Sequence, residues 1–214
     1  MAKLKRGRPV QYDREEALQK ATDLFWSVGF AATSLDALSE ATQMTRPSLT
    51  GAFGDKEALY LEALSRYRDA GIGAMQSTLS GERSLRAELT ELLRSSTDVY
   101  MAASDAARGC LLIGTASVEA VHRPSVRRVL KESLGAFNAV LEERFRKAIA
   151  NRELGADADV ANLASVVSAI MHSLAVRARA GESRQALDEL SRTAVDLICG
   201  RLPKAPLEEV ARRR

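Results

Sequence analysis

Apolar residues recur at intervals of three and four along nearly the whole chain, and no run alternates apolar and polar long enough for a strand. That period belongs to helices, so the pattern predicts an all-α protein. The first helix has a marked start. Asp13 can cap it, and Glu16 three residues on completes a capping box. Ala17, Leu18, Ala21, Leu24, Phe25 and Val28 then form one apolar face, and Gly29 stands where helices stop. A second start follows at Thr33, with Asp36 as capping partner and Leu35, Leu38 and Ala41 as the apolar face. That helix ends near Thr42 and Gln43. Thr45 caps a third, which tolerates Pro47 because first-turn N–H groups have no helical partner to lose, and Gly54 closes it after Phe53.

Residues 13–54 therefore read as three short helices, the last two joined by a turn of about three residues, which is helix-turn-helix spacing. In such a unit the second helix of the pair lies in the major groove of DNA, its N-terminal residues against base edges. The composition suits that place. Leu49 and Phe53 anchor the inner side, while Thr45, Arg46, Pro47, Ser48, Thr50 and Gly51 leave the outer side bare. Small side chains let the backbone approach closely, and Arg46 can reach a guanine edge or a phosphate. Lys56 falls in the first turn of the next helix, where its charge and the helix N-terminus both favour a phosphate. Thr33 and Ser34, opening the second helix, complete this set of DNA contacts. A small helical bundle without a DNA role would not require so bare a face.

The stretch GRPVQYDREEALQKATDLFWSVGFAATSLDALSEATQMTRPSLTGAFGDKEALYLEAL resembles the N-terminal DNA-binding domain of TetR/AcrR-type transcriptional repressors. The resemblance spans residues 7–66. It rests on Tyr12-Asp13, on Leu24-Phe25 ahead of Gly29-Phe30, on Thr33-Ser34, and on Phe53 through Leu59 leading into a long fourth helix. Two departures stand out. Family members usually carry glycine where this chain has Gln43, and many place tyrosine where it has Thr50.

Beyond Gly54 the helical pattern continues. One helix runs from Asp55 through Leu59, Leu64 and Tyr67 and loses definition around Gly71 to Gly73. After Gly81 come Leu85 to Val99, a short piece around Cys110 to Val118, a longer helix from Pro124, and two more at 157–180 and 183–199. The expected organisation is a basic arm (1–12), a helix-turn-helix domain (13–60), a helical effector-binding and dimerisation domain (61–204) and a tail (205–214). Leu163, Val167, Ile170 and Leu174 share one helix face, and Leu187, Leu190, Ala194 and Leu197 form a seam on the last helix. Periodicity alone leaves open whether their own chain or a second copy covers them. The resemblance implies a homodimer, because TetR-type proteins pair these two helices across a twofold axis. It also implies a small-molecule effector, for which Tyr100, Met101, Cys110, Leu111, Val118, Phe137, Leu141, Met171 and His172 are the pocket candidates. Core and pocket residues look alike in sequence, since small-molecule sites are mostly apolar with a few polar anchors. Gly109-Cys110-Leu111 is similar to TetR-type members that sense electrophiles or oxidants through a cysteine. Arg108 would there favour the reactive thiolate, while a buried, inert cysteine is the other reading.

Composition narrows the functional classes. The chain has 214 residues, 46% hydrophobic and 28% charged, the balance of a globular protein with a real core. No stretch reaches the ~18 unbroken apolar residues of a membrane span, and the N-terminus lacks a secretory signal. Two cysteines are too few for a disulfide scaffold, so a cytoplasmic location with reduced thiols is expected. Two histidines and two cysteines, none at metal-ligand spacing, and no glycine-rich phosphate loop argue against an enzyme, a metal or another cofactor. Charge matters by position: Lys3, Lys5, Arg6 and Arg8 precede the first helix without an acid among them. Arg6-Gly7-Arg8-Pro9 is slim and extended enough for the minor groove, where negative potential concentrates. The expected partner is a pseudo-palindromic double-stranded operator. The expected function is a ligand-responsive repressor, against two alternatives: a redox or electrophile sensor acting through Cys110, and a helical scaffold that binds no DNA.

Overall fold

The computed structural model describes residues 13–102 and 107–200, so the basic arm with Arg6 and Arg8, and the tail, lie outside the described residues. Helices make up all the regular structure within them: α1 (Arg14–Val28), α2 (Leu35–Thr42), α3 (Arg46–Phe53), α4 (Lys56–Thr78) and α5 (Leu85–Met101) come first. A π-helical turn (Leu112–Ala116) then leads into the short α6 (Ser117–Glu119). The chain continues through α7 (Pro124–Ala150), α8 (Val160–Arg179) and α9 (Arg184–Ile198).

Local chemistry accounts for most of these ends. Asp13 caps α1 by accepting the N–H groups of Glu15 and Glu16 at 2.9 and 3.2 Å. α2 starts one residue later than its sequence suggests. Ser34 is the cap, its hydroxyl accepting the Ala37 N–H at 3.0 Å, while Thr33 turns inward and donates to the Gly29 carbonyl at 2.6 Å. Asp36 is therefore no capping partner of Thr33. α4 also departs from expectation, running unbroken through Gly71 and Gly73. Gly71 has a packing role there: a Cβ at that position would lie 3.1 Å from the Phe137 ring of α7.

α1 and the loop after it sit on the first half of α4 through an aromatic cluster, α3 also packs on α4, and α2 packs on α1 and α3. The Phe25 and Phe30 rings meet Tyr60 at 5.0 and 4.9 Å between centroids. Trp26, absent from the expected apolar face of α1, is buried and packs edge-on to Tyr67, whereas Val28 is half exposed. In the second half α7 packs on α4 and α8, and α5 packs on α8 and α9. A buried ionic network ties these helices together. Arg144 of α7 pairs with Glu88 of α5, and its guanidinium also donates to the Arg83 carbonyl at 3.1 Å and to Glu153 at 3.0 Å. Glu88 in turn accepts the N–H groups of Gly81 and Arg83. The loop after α4 is thus fixed to both α5 and α7.

Candidate functional site

The α2–α3 unit presents the outward surface expected of a reading head. Thr45 caps α3 by accepting the Ser48 N–H, Leu49 and Phe53 are buried, and Thr45, Arg46, Pro47, Ser48, Thr50 and Gly51 are all exposed. A Cβ at Gly51 would meet nothing within 4 Å, so the fold does not require that glycine. It costs about 1 kcal/mol of helix propensity relative to Ala and keeps the outer surface low. The turn before α3 accommodates Gln43 in the left-handed region, at φ 58°. The Gln43 N–H bonds to the Glu40 carbonyl and the Met44 N–H to the Ser39 carbonyl, a Schellman arrangement with Met44 buried beneath. A side chain in that region costs about 1 kcal/mol, so Gln43→Gly should raise stability by up to about 1 kcal/mol in thermal unfolding. A lowered midpoint would mean that the Gln43 side chain itself holds the turn.

Three of the expected contacts change in character. Thr33 is only 1% exposed, so its side chain cannot meet DNA, and Ser34 holds the exposed position at the start of α2. Lys56 is drawn inward. Its ammonium donates to the carbonyls of Phe30 and Thr33 at 3.1 and 2.9 Å and lies 4.2 Å from the Phe30 ring centre. These bonds pin the α1–α2 loop to the start of α4, which makes Lys56 a support of the head before any role at a phosphate. Arg46 stands outside but is held by Asp36, with Nε donating at 2.6 Å and a second contact through Nη2. The Arg46 hydrogen bond keeps the Asp36 carboxyl below its ordinary range.

Behind the head lies a cavity of about 360 Å³ between α1, α4, α5, the π-helical turn, α7 and α8. Of the pocket candidates, Tyr100, Cys110, Phe137, Met171 and His172 line it. The other candidates do not. Leu111 and Leu141 are fully buried in the core, Val118 is 65% exposed beyond the π-helical turn, and Met101 is half-buried away from the wall. Sequence reasoning missed the α1 and α4 side of the wall: Trp26, Arg66, Tyr67 and Met75. Gly71, small within an otherwise long helix, was the one sign of close packing there.

The environment of Cys110 weakens the sensor alternative. Burial pushes its thiol pKa up, opposed by hydrogen bonds from Tyr67 and from the backbone at Ile113 and Leu112. Arg108 gives it no help, since its guanidinium bonds to Asp23 at 2.8 Å and stacks 4.4 Å over the Trp26 ring. The thiol is therefore protonated at neutral pH.

The expected dimer seams are also corrected. Val167, Leu174, Leu187 and Ala194 are buried within their own chain, because α8 is wedged among α5, α7 and α9. Leu163, Ile170 and Leu190 are half-buried against that core, and only Leu197 stands out, at 59% exposed. What α8 leaves uncovered is a third face carrying Val166, Ala169 and Val176, the last 58% exposed. α8 is also the one helix among the described residues long and apolar enough to cross a membrane by composition. It carries more apolar surface than the other described residues cover.

Known proteins resemble both halves. Residues 17–63 match the family described as bacterial regulatory proteins, tetR family, and residues 86–194 match the tetracyclin repressor-like C-terminal domain. Over 196 residues the chain is 30% identical to the HTH-type transcriptional repressor ComR of Escherichia coli, covering 91% of this chain and 93% of ComR. It is 25% identical over 205 residues to the HTH-type transcriptional repressor BdcR of the same bacterium, covering 95% of each. A cysteine mutant of the TetR family transcriptional regulator CifR, solved with 26 bp double-strand operator DNA, aligns with a TM-score of 0.76 and 35% identity. That alignment covers 88% of this chain and 98% of CifR. A helix-turn-helix head joined by one long helix to a second helical layer, with these matches across both, places the chain in the TetR family of DNA-binding transcriptional regulators.

Proposed function

We propose that the chain is a homodimeric repressor that grips a pseudo-palindromic operator through α3 and lets go when a small molecule enters the cavity. The observation that carries this reading is the bare outer face of α3, where Gly51 serves no packing need of its own chain. CifR, bound to its operator, and the repressor ComR support it by similarity. A twofold dimer sets two short reading helices on successive major-groove faces, the arrangement that lets half-sites a turn apart be read together. The uncovered face of α8, with Leu197 of α9, is the surface assigned to that dimer. Thr45, Arg46, Pro47, Ser48, Thr50 and Gly51 are assigned to base edges and nearby phosphates, Ser34 to the backbone, and Arg6 and Arg8 to the minor groove. The cavity acts on DNA binding only if its ligand favours one spacing of the heads over the other.

The test is operator binding by mobility shift across a salt series, using the intergenic DNA beside the gene. Arg46→Ala should weaken binding by about 1–3 kcal/mol and relax the sequence requirement at one position per half-site. It also frees Asp36, whose carboxylate then faces the DNA unpaired, so Asp36→Ala in the same background should recover part of the loss. Lys56→Ala is expected to lower the melting temperature first, since two loop carbonyls lose their donor. Unchanged operator affinity and specificity in Arg46→Ala would sink the assignment of α3 as the reading helix.

A further inference from the structure

Resting on the assignment of the cavity as effector site, we infer that it takes an uncharged, flat, mostly apolar molecule with one hydrogen-bonding group. We also infer that Trp26 passes its arrival directly to the reading head. Four aromatic rings, those of Trp26, Tyr67, Tyr100 and Phe137, form much of the wall. Among the described residues Arg66 is the one charged side chain in that wall, and Glu15 and Gln19 already engage its guanidinium. An anion would find no free cation there among the described residues. A cation would lie close to Arg66 and against a Trp26 ring that Arg108 already covers at 4.4 Å. Either ion would lose its hydration without a partner, which is costly. A neutral ring system avoids that cost and stacks on the aromatic wall.

The polar groups of the wall are nearly all engaged within the chain. Thr22 donates to the Leu18 carbonyl at 2.7 Å, Ser95 to the Leu92 carbonyl at 3.1 Å, and Ser168 to Asn138. His172 makes no hydrogen bond among the described residues. Burial lowers its pKa, so at neutral pH the ring is uncharged and offers one donor and one acceptor. It is the anchor for the single polar group of the ligand.

The coupling follows from where Trp26 belongs. It is a residue of α1, in the reading head, yet its ring faces the cavity, and its indole N–H donates to the Gly109 carbonyl at 3.1 Å. Gly109 is seated tightly on α8: its φ is +67°, and a Cβ would lie 2.7 Å from the Ala175 carbonyl oxygen. A ligand that packs against the cavity side of Trp26 therefore pushes α1 against a fixed point of the second layer. Arg108 and Asp23 bridge the same two parts, so the link is a short, direct one beside the longer route along α4.

The experiment compares methyl cinnamate with the cinnamate anion and the cinnamylammonium cation, by calorimetry and by release of bound operator. Trp26 is the sole tryptophan of the chain, so its fluorescence reports occupancy independently. The ester should bind at least about 30-fold more tightly than either ion, a gap of roughly 2 kcal/mol. His172→Leu should weaken the ester several-fold and leave ligand-free operator binding unchanged. Trp26→Phe, which keeps a ring and removes the N–H, should still bind the ester but release operator poorly. Ions binding as well as the ester, with all binding lost in the cavity-filling Met171→Trp, would overturn the neutral class and leave the cavity standing as effector site. Ester binding that persists in Met171→Trp, or no binding of the ester to the wild-type chain, would overturn the inference at the cavity itself. Normal release by Trp26→Phe would overturn the coupling.

Discussion

Arg144→Met is expected to cost about 3–5 kcal/mol in urea unfolding, because it strands a buried carboxylate. Arg144 is 1% exposed and Glu88 0%, so no water reaches the charge left behind. The pair is not optimal as it stands, since among the described residues the Nη1 group of Arg144 finds no hydrogen-bond partner. Replacing both residues together, as Glu88→Gln with Arg144→Met, should therefore cost less than Arg144→Met alone. Acidity probes the same network. Desolvation raises the Glu88 pKa, but the Arg144 hydrogen bond and the backbone N–H groups of Arg83 and Gly81 outweigh it, leaving the net value lowered. A depressed folded value means that the stabilisation is complete above the unfolded glutamate pKa of about 4.3 and is lost as the pH falls through the lower, folded one. The acid-side loss of stability should therefore be shallower in the double variant than in wild type. Equal slopes would show that Glu88 does not carry it.

How legible such features are depends on the range of the interaction. Asp13, Gly29, Thr45 and Gly54 act within four residues of themselves, and their capping roles were plain in the chain order. So was the inner side of α3, because Leu49 and Phe53 lie one turn apart and only one surface can cover them both. Thr33 and Ser34 show the limit of that reasoning. Both can cap a helix, and the choice between them turns on the Gly29 carbonyl, which Thr33 reaches only once the loop is formed. Lys56 was misplaced for a related reason: its amine finds two loop carbonyls brought there by folding, and a helix N-terminus alone gives no hint of them. The cavity was half legible. Its α5, α7 and α8 walls come from aromatic and polarizable residues that stood out in sequence, while the α1 wall depends on Trp26 turning away from solvent. Periodicity identified the apolar faces of α8 and α9 but not their cover. The most apolar seams went to the chain's own core, and a less regular face was left outside.

The cover of these helix faces decides which substitution tests the assembly. Leu187→Glu would place a carboxylate in a fully buried position and should unfold the chain, which says nothing about a partner. Val176→Glu and Leu197→Glu act on side chains 58% and 59% exposed, where a substitution shifts the stability of the single chain by only about 0.5 kcal/mol. In a twofold dimer each change occurs twice, and near the axis the two carboxylates approach one another as well as losing water. Both variants should therefore keep their helix content by circular dichroism, sediment as monomers, and bind a single half-site as the wild type does. Affinity for the full operator should fall by about 10²–10⁴, the gain that linking two reading heads supplies. The Leu190→Glu change at a half-buried position should show a mixture of lost stability and lost assembly, because its side chain is shared between core and edge. A Val176→Glu protein that remains a dimer with undiminished operator affinity would move the interface off the outer face of α8.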